Sequence, residues 1–323
     1  MLTDDFPPCT GGVATWSAWA VDALRTLGPV EVFARQRPDL AGATGVRGHH
    51  FSKHGGRHLA LAAWRSLLGA DAVLATTWPM ATWAARLLPR TTPLHVVLHG
   101  SDITTGRPTR AFRRVAARAH VWAVSEHLVR CARSWGAEAR VLPVPIPERP
   151  RLPGGDRWTF VARAHASKGG ERFVRLVAAA GRPADLVGDG PELLRWKALA
   201  DRLGADLTFH GALHREAVDG VLAHSGAVFL LSQVWTRGSA EGLGLTLLEA
   251  AARGLPGIGT NVGGIPEAAG LVLDRPDDPR ASLAQIEAWW TERRGQEAQR
   301  WVRATHGVAP FLETLEVRSA RPT

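Results

Sequence analysis

Short apolar runs alternate with longer segments whose apolar positions recur at helical spacing, from the start of the chain to about Thr260. In the first half the runs predict strands at Val30 to Ala34, Ala72 to Ala75, Leu94 to Leu98, Val121 to Val124 and Arg140 to Leu142. Helical patterns fall between them at Val13 to Leu27, His58 to Leu68, Ala81 to Leu88, Arg110 to Ala119 and His127 to Trp135. This rhythm predicts an α/β chain with a parallel sheet covered by helices on both faces. It breaks at Pro143 to Gly155, where prolines and glycines can continue neither a helix nor a central strand. A second series follows, with strands at Thr159 to Ala162, Ala184 to Val187, Leu207 to His210, Ala227 to Leu231 and Gly257 to Thr260. The pattern therefore predicts two Rossmann-like domains, 1–149 and 156–323, joined by one linker. Open parallel sheets bind ligands beyond the carboxyl ends of their strands, so the two sheets are expected to face a central cleft. Only Met1 to Thr3 precede the first turn, so the first strand is expected to be stunted. After Asp277 the pattern is helical, and Trp289, Trp290 and Trp301 are expected to pack inward.

Composition narrows the function classes. The 323 residues and 45% hydrophobic content suffice for two cored domains. The formal charge of +9 invites a nucleic-acid or anionic-membrane reading. Lysine occurs only at positions 53, 168 and 197, so nearly every cation is an arginine, and the arginines are scattered along the sequence rather than bunched. There is no tyrosine. Such bias reads as a coding preference, with a smaller share left to an anionic acceptor or a peripheral membrane contact. The tryptophans follow helix spacing, so no nucleic-acid partner is expected.

Cys9 and Cys131 form no CxxC pair, which argues against a disulfide framework or a cysteine-rich zinc site. The His and acidic residues show no metal-ligand spacing, so no metal is expected. Apolar runs such as Leu94 to Leu98 are five residues long, against the roughly 20 needed to span a bilayer. The acidic start, Met1 to Asp5, lacks the pattern of a signal peptide, and a cytoplasmic location is expected.

The segment Glu241-Gly-Leu-Gly-Leu-Thr-Leu-Leu-Glu249 carries the most chemistry. Its apolar run predicts a buried helix, entered through Gly242 and Gly244, where backbone comes close to something. A helix N-terminus offers unpaired N–H groups and partial positive charge, which suits a diphosphate. Glu241 and Glu249 are eight residues apart, a little over two helical turns, so both are expected to project to one side at different heights. Taken alone, they read equally well as a capping and a salt-bridged glutamate on a core helix.

This segment, followed by Gly254-Leu-Pro256 and by Gly259 to Glu267, resembles the signature of the family-4 retaining glycosyltransferases of the GT-B fold. Ala162-Arg163-Ala-His-Ala-Ser-Lys168-Gly169 is similar to that family's Arg and Lys five residues apart. Gly188-Asp189-Gly190-Pro191, Phe209-His210-Gly211, Phe6 to Val13, His99-Gly100-Ser101-Asp102 and Ala123 to Glu126 extend the resemblance over residues 5–267.

The resemblance implies a retaining transfer of a sugar from a nucleotide diphosphate donor to a small-molecule or glycan acceptor. No cofactor is expected beyond the nucleotide sugar as co-substrate, and because no element carries a carboxylate pair suited to double displacement, the expected route is a front-face displacement in which the departing phosphate takes the acceptor proton. By the same resemblance Arg163 and Lys168 grip the diphosphate and neutralise charge as the glycosidic bond breaks. Gly11 and Gly12 let the first helix approach the same phosphates, and the backbone of Gly244, Leu245 and Thr246 contacts phosphate or sugar. Glu241 holds a donor-sugar hydroxyl and Glu249 the ribose. Gly190 and the Leu213 backbone flank the base, although Leu213 reads equally as a plain apolar position. His99 lies near the reacting sugar, and Asp102 orients the acceptor or caps the next loop. Trp235 stacks on an acceptor sugar or plugs its loop onto the core. The last helices of such chains cross back onto the first domain. A relative that binds without turnover is the main rival; the intact set of Arg163, Lys168, Glu241 and Glu249 argues against it.

Overall fold

The computed structural model describes residues 1–36, 38–40, 44–50, 66–234 and 241–315. They divide into two compact units, Met1–Pro147 with the chain from His306 onward, and Glu148–Thr305.

The first unit holds β1 (Leu2–Thr3), β2 (Val30–Ala34), β3 (Val46–His50), β4 (Val73–Ala75), β5 (Leu94–Leu98), β6 (His120–Ala123) and β7 (Ala139–Val141). They form one sheet in the order β3-β2-β1-β4-β5-β6-β7, parallel at every pairing. The stunted first strand is thus central. Leu2 pairs with Phe33 on one side and Ala75 on the other, and the N–H groups of Phe33 and Thr76 extend the ladder to the Met1 and Leu2 carbonyls. At its end Thr3 Oγ1 accepts from Thr76 Oγ1 at 2.9 Å and lies 3.2 Å from Ser17 Oγ. This buried hydroxyl knot fixes the helix Gly12–Leu24 over the strand ends.

The final helix, Val308–Leu315, also belongs to this unit. The Val144 N–H donates to His306 Nδ1 at 3.1 Å, and the Gly307 N–H donates to the Val144 carbonyl at 2.7 Å. Phe311, fully buried, then meets Trp16 of the first helix edge to face, with ring centroids 6.0 Å apart.

The second unit contains β8 (Arg157–Val161), β9 (Ala184–Val187), β10 (Leu207–Gly211), β11 (Ser225–Leu230), β12 (Gly257–Thr260) and β13 (Leu271–Leu273). Their order is β10-β9-β8-β11-β12-β13, again all parallel. Trp158, Phe160, Phe173, Trp196 and Phe229 fill one core between this sheet and the helices Gly170–Ala180 and Leu193–Leu203. Burying a large side chain of this kind contributes roughly 1.5–3 kcal/mol.

The structure departs from the sequence reading in two places. β3 and β13 are strands that the pattern did not predict: β3 is largely exposed and lacks an apolar run, and the apolar run of β13 is only three residues long. Trp290 and Trp301 do not pack inward; they are 39% and 38% exposed. Trp290 stands just past the end of the helix Pro279–Trp289. In the helix Arg294–Thr305 the buried stripe is Gly295, Gln299 and Val302, and Trp301 lies off it. Trp289 alone packs against the core of the second unit. The expected helix His58 to Leu68 lies largely outside the described residues.

Candidate functional site

In the second unit the resemblance-implied donor residues stand at the carboxyl ends of neighbouring parallel strands, where open sheets place their ligands. Leu213 follows β10, Gly190 follows β9, Arg163 and Lys168 follow β8, and Glu241 lies between β11 and the helix Leu245–Ala252.

The loop after β8 is locally determined. His165 caps the 3-10 turn Ala166–Lys168, its Nδ1 accepting from the Ser167 N–H at 3.2 Å. Gln233, just after β11, locks the turn by donating its backbone N–H to the Ser167 carbonyl and its side-chain amide to the Ala166 carbonyl, both at 2.9 Å. Lys168 is thereby aimed at the next loop, and its Nζ lies 2.6 Å from Glu241 Oε2. Ser232 Oγ donates to the same oxygen at 3.3 Å. Arg163 is exposed on this edge.

Gly190 sits where a Cβ would come within 2.5 Å of the Ala164 carbonyl oxygen, at φ +149°. Only glycine allows the loops after β8 and β9 to meet backbone to backbone. Beyond β12, Gly264 donates its N–H to the Glu241 carbonyl at 2.9 Å. A Cβ on Gly263 or Gly264 would lie 2.1 Å from Glu241 O or 2.2 Å from Gly242 O. The glycine pair is therefore the seat on which the Glu241 backbone rests.

The expectation that Glu241 and Glu249 share one helix is corrected. Gly244 adopts φ +96°, outside the helical region, and the helix begins only at Leu245. Glu241 thus belongs to the preceding loop, with Lys168. Leu245 and Thr246 form the first turn of the helix, whose leading N–H groups have no intrahelical acceptor and no side-chain cap.

Glu249 faces a different set of charges. Arg215 and Asp219 lie one turn apart on the helix Arg215–Leu222, opposite Glu249 and Arg253. Arg215 Nη1 is 3.4 Å from Glu249 Oε1, and Arg253 pairs with Asp219. Burial raises the Glu249 carboxyl above its ordinary pKa, while the guanidinium groups of Arg215, Arg253 and Arg149 pull it back down.

In the first unit, Gly11 and Gly12 open the helix Gly12–Leu24 without a side-chain cap. His99 follows β5 and packs on Trp16, ring centroids 4.7 Å apart. Burial lowers its pKa to about 3, so the imidazole is neutral. Asp102 supplies a cap: its Oδ1 accepts from the His99 and Gly100 N–H groups at 3.2 and 3.0 Å. Trp78 Nε1 donates to the Asp102 carbonyl at 2.7 Å. Burial pushes the Asp102 carboxyl up to about 6, and its Oδ2, like His99 Nε2 and Trp16 Nε1, is buried without a hydrogen-bond partner among the described residues. Trp235 lies outside the described residues.

Sequence reasoning assigned no role to Ser232, Arg215, Gly263 or Gly264. The Gly263-Gly264 pair was visible in the 259–267 motif, but its function as a backbone seat follows only from the contact with Glu241.

Residues 152–306 match the family described as glycosyl transferases group 1. Over 279 residues, 76% of this chain and 69% of that protein, the chain is 32% identical to the GDP-mannose-dependent alpha-(1-6)-phosphatidylinositol monomannoside mannosyltransferase of Mycobacterium tuberculosis. The chain belongs to the glycosyl transferases group 1 family. This group 1 glycosyltransferase is also 39% identical over 99 residues to the N-acetyl-alpha-D-glucosaminyl L-malate synthase of Bacillus anthracis, a match covering 30% of this chain and 24% of that protein. Its fold is that of Anabaena HepE, solved in complex with UDP and glucose, with TM-score 0.75, 18% identity and 97% of each chain covered. Among the described residues, no helix is long and apolar enough to cross a membrane.

Proposed function

We propose that this group 1 glycosyltransferase transfers a sugar, with retention and without a metal, from a nucleotide diphosphate donor to a small-molecule or glycan acceptor. The observation that carries this reading is the contact of Lys168 Nζ with Glu241 Oε2, 2.6 Å apart, which joins the loops after β8 and β11 ahead of the helix Leu245–Ala252. The diphosphate lies against the Lys168 ammonium, the Arg163 guanidinium and the N–H groups of Leu245 and Thr246. Together these stabilise the charge that grows on the leaving oxygen. Glu241 orients a donor-sugar hydroxyl, and Glu249 takes the ribose, with Leu213 and Gly190 beside the base. From the first unit, His99 offers a neutral imidazole, and Asp102 acts through the turn it caps.

In the reaction, the acceptor oxygen bonds to the anomeric carbon on the face from which the diphosphate departs. The bond from that carbon to the phosphate oxygen breaks with its electron pair going to the phosphate, which takes the acceptor proton. The cytoplasmic location expected from the sequence and contact with an anionic membrane surface remain part of this reading.

The test is thermal unfolding in the presence of a panel of nucleoside diphosphates and nucleotide sugars. A ligand at 100 times its dissociation constant stabilises by about 2.7 kcal/mol. One base is expected to stabilise selectively; if none does, the donor reading fails. With the donor found, turnover in EDTA and the anomeric configuration of the product by NMR test metal independence and retention. An inverted product would refute retention alone.

A further inference from the structure

Beyond the end of β11, residues 231–233 are fastened from several other elements of the second unit. The pairing of β11 with β12 stops at Leu230 and Gly259, so the carbonyls of Leu231 and Ser232 need donors from outside the ladder. Thr260 Oγ1, at the end of β12, donates to the Ser232 carbonyl at 2.6 Å. Arg172, in the first turn of the helix Gly170–Ala180, donates from Nη1 to the Leu231 and Ser232 carbonyls at 3.3 and 3.1 Å. Its Nε and Nη2 meet the two carboxylate oxygens of Asp277 at 2.7 and 2.9 Å, a bidentate pairing that fixes the plane of the guanidinium. Gln233 is tied in turn to the carbonyls of Ser167 and Ala166. A side chain at Gly169 would clash with the Leu231 carbonyl, so the loop that carries Lys168 abuts the same stretch of backbone.

These ties act on one hydroxyl. Ser232 is buried, and its Oγ donates to Glu241 Oε2, the oxygen that lies 2.6 Å from Lys168 Nζ. The other oxygen, Oε1, has no partner among the described residues. The terminal torsion of a glutamate is broad and two-fold, so a carboxylate held by an ammonium alone can turn about that contact or exchange its oxygens. A second donor on the same oxygen, from a hydroxyl on fixed backbone, removes that freedom. Satisfying strand-end carbonyls does not account for the whole arrangement. Thr260 already gives the Ser232 carbonyl a donor, and Arg172 with Asp277 adds a further tie to the residue whose side chain meets Glu241.

We propose that Ser232, held by Arg172 and Thr260, is a positioning residue for Glu241: it keeps Oε2 at Lys168, so that Oε1 is the oxygen offered to a donor-sugar hydroxyl. This rests on the reading that Glu241 meets the donor sugar. Ser232 acts through Glu241 and has no assigned contact with the donor. Its effect therefore depends on a carboxylate at position 241, which a purely structural serine would not require.

A double-mutant cycle on the full chain tests this, with release of nucleoside diphosphate from GDP-mannose and from UDP-glucose as the assay. Ser232→Ala is expected to lower kcat roughly tenfold, the low end for a hydrogen bond to a charged group, with KM little changed. In a Glu241→Gln background the same change is expected to cost less than about twofold more. Arg172→Lys keeps the charge but not the planar fork, and is expected to lower kcat in the same direction; it replaces Ser232→Ala in the cycle if that variant fails to fold. Crystals of ligand-free wild type and Ser232→Ala give a readout that needs no donor, and decide the matter if neither nucleotide sugar turns over. The Glu241 carboxylate is expected on Lys168 through Oε2 in the first and displaced in the second. An unchanged kcat in Ser232→Ala, an equal loss in both backgrounds, or a Glu241 carboxylate at its wild-type place in Ser232→Ala crystals each overturns the proposal alone. Wild-type kcat in Glu241→Gln overturns the donor-sugar reading, and the proposal with it.

Discussion

The Lys168 ammonium and the Glu241 carboxylate lie 2.6 Å apart, each about one-fifth exposed, at adjoining strand ends of the second unit. Neither charge is idle without a substrate. A diphosphate arriving at Lys168 shares its donor with Glu241, and a sugar hydroxyl arriving at Glu241 shares its acceptor with Lys168. Under the proposed function, the pair would link the two parts of a nucleotide sugar.

Lys168→Ala is expected to lower kcat/KM by about 10²- to 10³-fold, the roughly 2.7–4 kcal/mol that one preorganised charge-stabilising donor supplies. Its melting temperature should change little, because a partly exposed pair contributes about 0–1 kcal/mol to stability. Glu241→Gln is expected to lower kcat. The double variant should lose less than the product of the single losses, since contacting residues are not additive. Unchanged turnover in Lys168→Ala, measured by steady-state kinetics, would remove that residue from the site.

Glu249 belongs to a separate group of charges, and its substitution is expected to read out differently. Glu249→Gln should raise KM and leave kcat near the wild-type value, because a ribose contact exists before and during reaction. Arg215→Ala should shift KM in the same direction by a smaller amount, since it removes the nearest cation from Glu249 but leaves Arg253 and Arg149. Calorimetric titration with a nucleoside diphosphate and its 2′,3′-dideoxy counterpart separates the causes. Wild type is expected to prefer the ribose form by roughly tenfold or more, in line with hydrogen bonds to charged groups. A Glu249→Gln protein that keeps the full preference would assign the ribose elsewhere.

The sequence rhythm located β2 and β4 to β12 because those strands are apolar runs bounded by turn residues. It passed over β3, an exposed edge strand without an apolar run, and β13, whose apolar run is only three residues long. β1 was foreseen as short, but its central place was not, because hydrogen bonds from neighbours on both sides hold its two residues. The placement of Arg163, Lys168 and Glu241 at neighbouring strand ends was legible in the sequence, their roles there being part of the proposal. Their supports were not. Ser232, Arg215 and the Gly263-Gly264 pair come from other strand ends and a neighbouring helix, and only the parallel order β10-β9-β8-β11-β12 brings them together. The helical phase argued for Glu241 and Glu249 failed at Gly244, since a sequence period cannot show where a helix starts.

Three histidines with depressed pKa values give the first unit an acid-sensitive stability. Burial lowers His95 to about 4, His99 to about 3 and His306 to about 4. A depressed imidazole contributes stability that is full above its unfolded pKa near 6.5 and is lost as pH falls through the folded value. For His306 this is about 3 kcal/mol. His306→Asn keeps an acceptor for the Val144 N–H and should flatten the fall of unfolding free energy between pH 6.5 and 4 by about that amount. Asp102 acts with the opposite sign: its raised carboxyl contributes stability at low pH that is lost as pH rises through about 6. Asp102→Asn should therefore gain on wild type as pH rises from 4 to 7. Denaturant titrations across this range check both, and an unchanged slope in His306→Asn would show that its titration is not linked to folding.

Gly264→Ala tests whether the glycine seat holds the Glu241 loop in place. Its φ of −91° is open to any residue, so backbone conformation alone costs nothing there. The added methyl, however, would stand 2.2 Å from Gly242 O and 2.9 Å from both Gly242 C and Leu243 Cα, all backbone atoms that cannot rotate away. Relief requires the 241–244 segment to move off the loop after β12. That movement lengthens the Gly264 N–H to Glu241 carbonyl bond and draws the Glu241 carboxylate from Lys168. The variant should lose at least as much turnover as Glu241→Gln and should also lose some 1–3 kcal/mol of stability, the usual cost of overpacking. Gly204→Ala is the comparison: its φ of +64° carries conformational strain of about 1–2 kcal/mol, but no atom lies within 4 Å of the new methyl. It should lose stability without losing turnover per folded molecule. If Gly264→Ala behaved like Gly204→Ala in kinetics normalised to folded protein, the seat would be a packing feature with no part in placing Glu241.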